Sequence, residues 1–150
     1  MKIAIGSDKS GFSAKEAIKA YLTEAGIEFD DLGTQDLDHI VPYYAVADKV
    51  APLVQQGEYD KAVLICGTGA GMCGVSNKFK GVYSAKMARA INNANILCMG
   101  GWIVGPEMAV EMVKTFLATE WCQDLEDWRK ENMKKFAVQV AAIEDKVYDK

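Results

Sequence analysis

Two glycine-flanked segments carry the residues best suited to chemistry. Cys66-Gly67-Thr68-Gly69-Ala70-Gly71 sets a thiol and a hydroxyl among alternating glycines, and Gly6-Ser7-Asp8-Lys9-Ser10-Gly11 sets a carboxylate and an ammonium between two more. Glycine has no Cβ, so successive backbone N–H groups in such a loop can approach an anion closely. Where the loop opens a helix, the helix dipole adds partial positive charge at the same place. The Cys66 loop therefore reads as a cradle for an oxyanion or a phosphate. A thiol beside a helix N-terminus can act as base or nucleophile, and a cysteine is equally at home buried in a core. The GxGxxG and GxxxxGK[ST] fingerprints are not met, which makes dinucleotide and P-loop readings weak. Cys66 and Cys73 are too far apart for a CxxC redox couple.

The elements that position these loops follow from periodicity. Lys2 to Ser7 is a short apolar run, and Ala14 to Ala25 places Ala14, Ile18, Tyr21, Leu22 and Ala25 at helical spacing, so strand, turn and helix follow in order. Ile27 to Leu32 predicts a second strand after the stop signal at Gly26. A helix over Tyr43 to Gln55 starts behind Pro42, with Pro52 as an interior kink candidate. Lys61 to Cys66 reads as a buried strand leading into the glycine loop and a helix over Met72 to Phe79. Helix over Ser84 to Asn92, strand over Ile96 to Met99, helix over Pro106 to Thr119 and a long C-terminal helix over Leu125 to Tyr148 complete the order. Alternating strands and helices predict one domain over residues 1–150, a Rossmann-like α/β fold whose parallel sheet is covered by helices on both faces. In such sheets ligands bind beyond the carboxyl ends of the strands, where both loops fall.

Composition narrows the partners. The chain has 150 residues, 50% hydrophobic and 25% charged, which excludes disordered and collagen-like classes. The 17 Lys and Arg against 21 Asp and Glu leave a net charge of −4, and no basic run forms a nucleic-acid footprint. No stretch approaches a membrane span or a signal peptide's apolar region, so a cytoplasmic protein is expected, with its four cysteines unpaired. With His39 as the one histidine, no metal site is expected. His39 itself reads as a solvated loop residue, and Trp102, Trp121 and Trp128 as core or subunit-contact residues.

Gly6-Ser7-Asp8, Pro42-Tyr43-Tyr44-Ala45, Ile65-Cys66-Gly67-Thr68-Gly69-Ala70-Gly71, Asn77-Lys78 and Asn95-Ile96-Leu97, in this order, resemble the family of type B ribose-5-phosphate isomerase and galactose-6-phosphate isomerase. The resemblance implies aldose–ketose isomerisation of a sugar phosphate through a cis-enediolate, without metal or organic cofactor. A pentose 5-phosphate, a hexose 6-phosphate or a four-carbon sugar phosphate is the expected substrate. By the same resemblance Cys66 matches the base and Thr68 a hydroxyl that assists ring opening. Gly67, Gly69, Ala70 and Gly71 match the enediolate cradle, Asp8 an acid that contacts sugar hydroxyls, Tyr44 a pocket wall, and Asn77 and Asn92 pocket-lining residues; Lys9 stands where many relatives carry histidine and is a candidate phosphate or hydroxyl contact. Arg129, Lys130, Lys134 and Lys135 are the phosphate candidates.

The chain also departs from the family pattern. Many relatives carry a histidine that opens the sugar ring where this chain has Ile91, and an arginine clamp where it has Arg129, Lys130, Lys134 and Lys135. In both respects it looks most like the B-type subunit of galactose-6-phosphate isomerase. Relatives also have roughly eight more residues after Lys78, room for a strand of ~5–6 residues and its turn, so one expected inner strand is shortened or absent. The resemblance implies a pocket formed at a two-fold contact, hence a homodimer or homotetramer. The alternative is a hetero-oligomer, in which the chain is a subunit or sugar-phosphate-binding protein completed by a related chain.

Overall fold

The computed structural model describes residues 1–78 and 92–148. Four strands, β1 (Ile3–Ser7), β2 (Phe29–Asp31), β3 (Lys61–Cys66) and β4 (Ile96–Gly100), form a parallel sheet in the order β2-β1-β3-β4. Every residue of β1, β3 and β4 is buried, which is why their sequences run apolar without alternation. Helices α1 (Phe12–Glu24) and α4 (Pro106–Ala118) cover one face, burying Ile18, Leu22, Ala109, Val113 and Phe116 against Ile3, Ile5, Val63 and Leu97. Helices α2 (Tyr43–Gln55) and α3 (Ala70–Ser76) cover the other, packing Val46, Val50 and Met72 on Ala4, Leu64 and Ile96. This is the expected Rossmann-like α/β fold.

Three local outcomes differ from the periodicity reading. The first loop closes as a 3-10 turn over Lys9–Gly11, so α1 begins at Phe12, two residues before the apolar stripe. Pro52 sits inside α2 without ending it, and its carbonyl accepts the Gln56 N–H at 2.9 Å. Most consequentially, β4 pairs directly with β3, Ala62 opposite Ile96 through Cys66 opposite Gly100. A shortened inner strand therefore leaves no hole between them. The short segment Phe79 to Val82 and the helix expected from Ser84 lie outside the described residues, as does Ile91.

The C-terminal helix α5 (Asp127–Tyr148) is as long as expected, at 22 residues. Phe136, Val140, Ile143 and Val147, spaced four, three and four apart, are all exposed along it. Among the described residues no helix is long and apolar enough to cross a membrane.

Candidate functional site

The parallel register brings the two chemistry-bearing loops side by side. Ser7 stands opposite Ile65, and the Asp8 N–H donates to the Ile65 carbonyl at 3.2 Å, so β1 and β3 deliver Asp8 and Cys66 to one edge of the sheet. The Asp8 carboxylate caps the 3-10 turn, its Oδ1 accepting from the Ser10 and Gly11 N–H groups at 2.9 and 3.2 Å. Oδ2 takes no part in either bond. Lys9, the next residue, is exposed. Beyond β4, the Gly101 N–H donates to the Cys66 carbonyl at 2.7 Å and the Trp102 N–H to the Gly67 carbonyl at 3.0 Å, extending the ladder past the strand ends.

Cys66 is 4% exposed and belongs to the apolar cluster with Val46, Met72 and Cys98. It is both a buried core residue and the last residue of the strand at this edge. Thr68, two residues on, is exposed, and its hydroxyl accepts the Ala70 N–H at 3.4 Å, a long bond that holds the turn loosely.

The loop glycines are required by the protein's own packing. Gly69 has φ +82°, and a Cβ there would lie 2.9 Å from the Met99 carbonyl carbon. A Cβ on Gly71 would lie 2.8 Å from the Tyr43 ring, and one on Gly67 2.8 Å from the Trp102 ring. Side chains here would strike β4, α2 and the loop after β4.

Other predicted residues fall elsewhere. Tyr44 is exposed, in an edge-to-face pair with Tyr43 at 5.5 Å, and it is Tyr43 that touches the loop at Gly71. Asn77 caps the far end of α3, its amide donating to Cys73 Sγ at 3.4 Å. Asn92 precedes β4 and so lies at the opposite edge of the sheet from Cys66, about one strand length away. There, with Asn93, Trp121, Met133, Phe136 and Val140, it lines a cavity of about 270 Å³ that includes the first half of α5. Arg129 stacks on Trp128, Lys130 pairs with Asp127 at 3.4 Å, and Lys134 and Lys135 are exposed on the same helix. One chain thus brings together Asp8, Lys9, Cys66, Thr68 and the glycine loop, and places Asn92 and the α5 cations apart from them. His39 is exposed and pairs with Asp36 at 3.0 Å; the His39 N–H and ring hold the Asp36 carboxyl below its ordinary range.

Two aromatic side chains that the sequence did not single out for the site lie against the glycine loop. Tyr43 and Trp102 carry no charge and no fixed spacing to the cysteine, and only the fold sets them over Gly71 and Gly67. Two clefts flank this point. One of about 220 Å³ is lined by Thr68, Gly69, Cys73, Cys98 and Ile103, and one of about 260 Å³ by Ser10, Ser13, Gly101, Trp102 and Ile103. Among the described residues no cluster of three or more His, Cys, Asp or Glu could hold a metal ion.

Comparison with known proteins identifies the family. The profile of the Ribose/Galactose Isomerase family matches residues 3–133. The 4-deoxy-4-sulfo-D-erythrose isomerase of Clostridium sp. (strain MSTE9) is 48% identical over 158 aligned positions, covering 100% of this chain and 99% of that protein. The D-erythrulose-4-phosphate isomerase 2 of Mycolicibacterium smegmatis is 40% identical over 81% of this chain and 86% of its own length. The structure of Clostridium thermocellum ribose-5-phosphate isomerase B superposes with a TM-score of 0.86 at 34% identity, covering 98% of this chain and 99% of that one. The alignment with the sulfo-sugar relative is longer than the 150 residues of this chain, so that relative carries residues absent here. The chain belongs to the ribose/galactose isomerase family and is an aldose–ketose isomerase of the ribose-5-phosphate isomerase B type.

Proposed function

We propose that the chain interconverts a four-carbon aldose carrying a terminal anion, phosphate or sulfonate, and its ketose. The observation that carries this reading is the full-length match, at 48% identity, to a 4-deoxy-4-sulfo-D-erythrose isomerase. The chemistry of the chain supports it. A four-carbon sugar whose O4 is esterified or missing cannot close to a furanose, so no ring needs opening. Ile91, which cannot transfer a proton, then costs nothing in turnover.

In this reading the Cys66 thiolate takes the proton from C2 of the aldose, and the charge that develops on O1 is met by backbone N–H groups of the glycine loop. The proton is returned at C1, and the O2 proton passes to O1, leaving the carbonyl at C2. No oxidant or reductant is consumed. Asp8 offers Oδ2, and Thr68 its hydroxyl, to the sugar oxygens.

The site is completed by a second copy of the chain. Asn92 and the α5 cations lie at the wrong edge of the sheet to reach their own Cys66 loop, and the exposed stripe Phe136, Val140, Ile143, Val147 follows the alternating spacing by which two helices pack together. A homodimer in which α5 of one copy approaches the loop of the other satisfies both.

The test is NMR of the pure chain in D2O with D-erythrose 4-phosphate, 4-deoxy-4-sulfo-D-erythrose and D-ribose 5-phosphate. Faster turnover of the four-carbon sugars, with deuterium entering at the exchanged carbon, is expected. Preference for ribose 5-phosphate overturns the chain-length reading. Inactivity rescued by a histidine-bearing homologue favours the subunit reading.

A further inference from the structure

We propose that Trp102 is the residue that sets substrate chain length, its indole forming an apolar wall over the cysteine loop against which the distal carbons of the sugar lie. The inference rests on the isomerase reading above.

Trp102 is held in register with the site through its own backbone. Its N–H bonds to the Gly67 carbonyl, one residue from Cys66, and the Ile103 and Val104 N–H groups turn back onto the Gly100 carbonyl at 3.0 and 2.9 Å. The six-membered part of the indole covers the position that a Gly67 Cβ would take, so Gly67 is the residue that makes room for it. The rest of the ring is open, since Trp102 is 74% exposed and Ile103 beside it 69%. An indole lying on backbone at the mouth of a catalytic loop, with most of its area uncovered, presents a flat apolar surface to whatever binds there.

Its position determines what that surface does. Trp102 lines the cleft that also holds Ser10 of the first loop and Ser13 of α1, and Ile103 lies in both this cleft and the one beside Thr68. In the proposed pose a sugar whose C1 and C2 lie by Cys66 runs its remaining carbons along this boundary. The C–H groups of a short chain stack on the ring face, whereas a longer polyol would have to bury an additional hydroxyl against apolar carbon, which is costly without a partner. The indole thus favours four carbons over five through contacts that substrate and transition state share, and its removal acts mainly on KM.

The experiment compares wild type, Trp102→Phe and Trp102→Ala on D-erythrose 4-phosphate and D-ribose 5-phosphate. It also follows fluorescence of a Trp121→Phe/Trp128→Phe variant, in which Trp102 is the sole tryptophan, on adding 4-phospho-D-erythronate, a stable four-carbon acid. Trp102→Ala is expected to shift the ratio of kcat/KM toward the five-carbon sugar at least tenfold, largely through KM. Trp102→Phe is expected to shift it less than threefold, and the erythronate to quench the Trp102 emission. Turnover with an unmoved ratio and silent fluorescence overturns the proposal while leaving the isomerase reading intact. Absence of turnover in wild type with clear quenching refutes that reading and supports the wall. Absence of both refutes the two together.

Discussion

The ammonium of Lys15 is fully buried against the carboxylate of Asp31, tying the first turn of α1 to the end of β2. The same Nζ donates to the Thr34 carbonyl at 2.6 Å, and Thr34 in turn bonds to Ser7 and to Val41. One buried charge thus anchors the chain between β2 and α2 to the strand end that carries Asp8. Asp31 has a second cation, Lys19 at 2.9 Å, whereas without Asp31 the Lys15 charge keeps only Glu16 at 3.1 Å, itself partly exposed. Asp31→Ala is therefore expected to destabilise the fold by about 3–5 kcal/mol, and Lys15→Met by less, since an uncompensated buried charge is the costly species. Urea unfolding of the two variants checks this, and equal or reversed losses would contradict it.

The same cluster predicts an acid limb of stability. Burial pushes the Asp31 carboxyl up, but hydrogen bonds from Lys15, Lys19 and the Gly33 N–H outweigh it and hold the group below its ordinary value. Glu16 is lowered likewise, against burial, by Lys19 and Lys15. A carboxyl whose folded value is depressed contributes stability that is complete above its unfolded value, about 3.9 for Asp, and is lost as pH falls through the folded value. Wild type should lose stability below about pH 4, and Asp31→Asn should show a shallower slope there in thermal melts across pH 2 to 6. Parallel slopes would refute the assignment.

Gly69 and Gly74 should respond oppositely to alanine. Gly69→Ala forces a side chain onto φ +82° and toward Met99, so a loss of about 1–2 kcal/mol or more is expected, together with activity. Gly74 lies in α3 with nothing within 4 Å of its would-be Cβ, and Gly74→Ala should gain about 0.5–1 kcal/mol from helix propensity. Thermal denaturation distinguishes them. A stable Gly69→Ala protein with impaired binding alone would show that the position serves the ligand and not the packing.

Cys66→Ala should reduce turnover by about 10²–10⁴, the usual contribution of a positioned proton-transfer group, and abolish deuterium incorporation. Cys122→Ala, which removes another buried thiol, should leave both unchanged. Exchange that persists without the Cys66 thiol would assign the base elsewhere.

Assembly is tested by complementation. Light scattering of the wild type should show the proposed dimer, and Ile143→Asp with Val147→Asp should give a monomer without turnover. Mixing inactive Cys66→Ala with a variant lacking the α5 cations should restore activity, because a mixed pair contains one intact loop facing one intact helix. A fully active monomer would refute the shared site.

The sequence by itself determined the alternation of strands and helices, because β1, β3 and β4 are apolar runs too short for helices and α1 and α4 carry their core residues at helical spacing. It also placed Asp8 and Cys66 at strand ends, since glycine loops follow both. What it could not determine is which residues meet across those ends. That Tyr43 rather than Tyr44 touches Gly71, that Trp102 covers Gly67, and that Asn92 and the α5 cations stand at the far edge from Cys66 all depend on strand order and register. These are sums of contacts between segments distant in the chain, and local spacing does not encode them. Tertiary structure alone therefore decided that Asn92 and the α5 cations stand apart from the Cys66 loop within one copy of the chain, and that an uncharged tryptophan lies over Gly67.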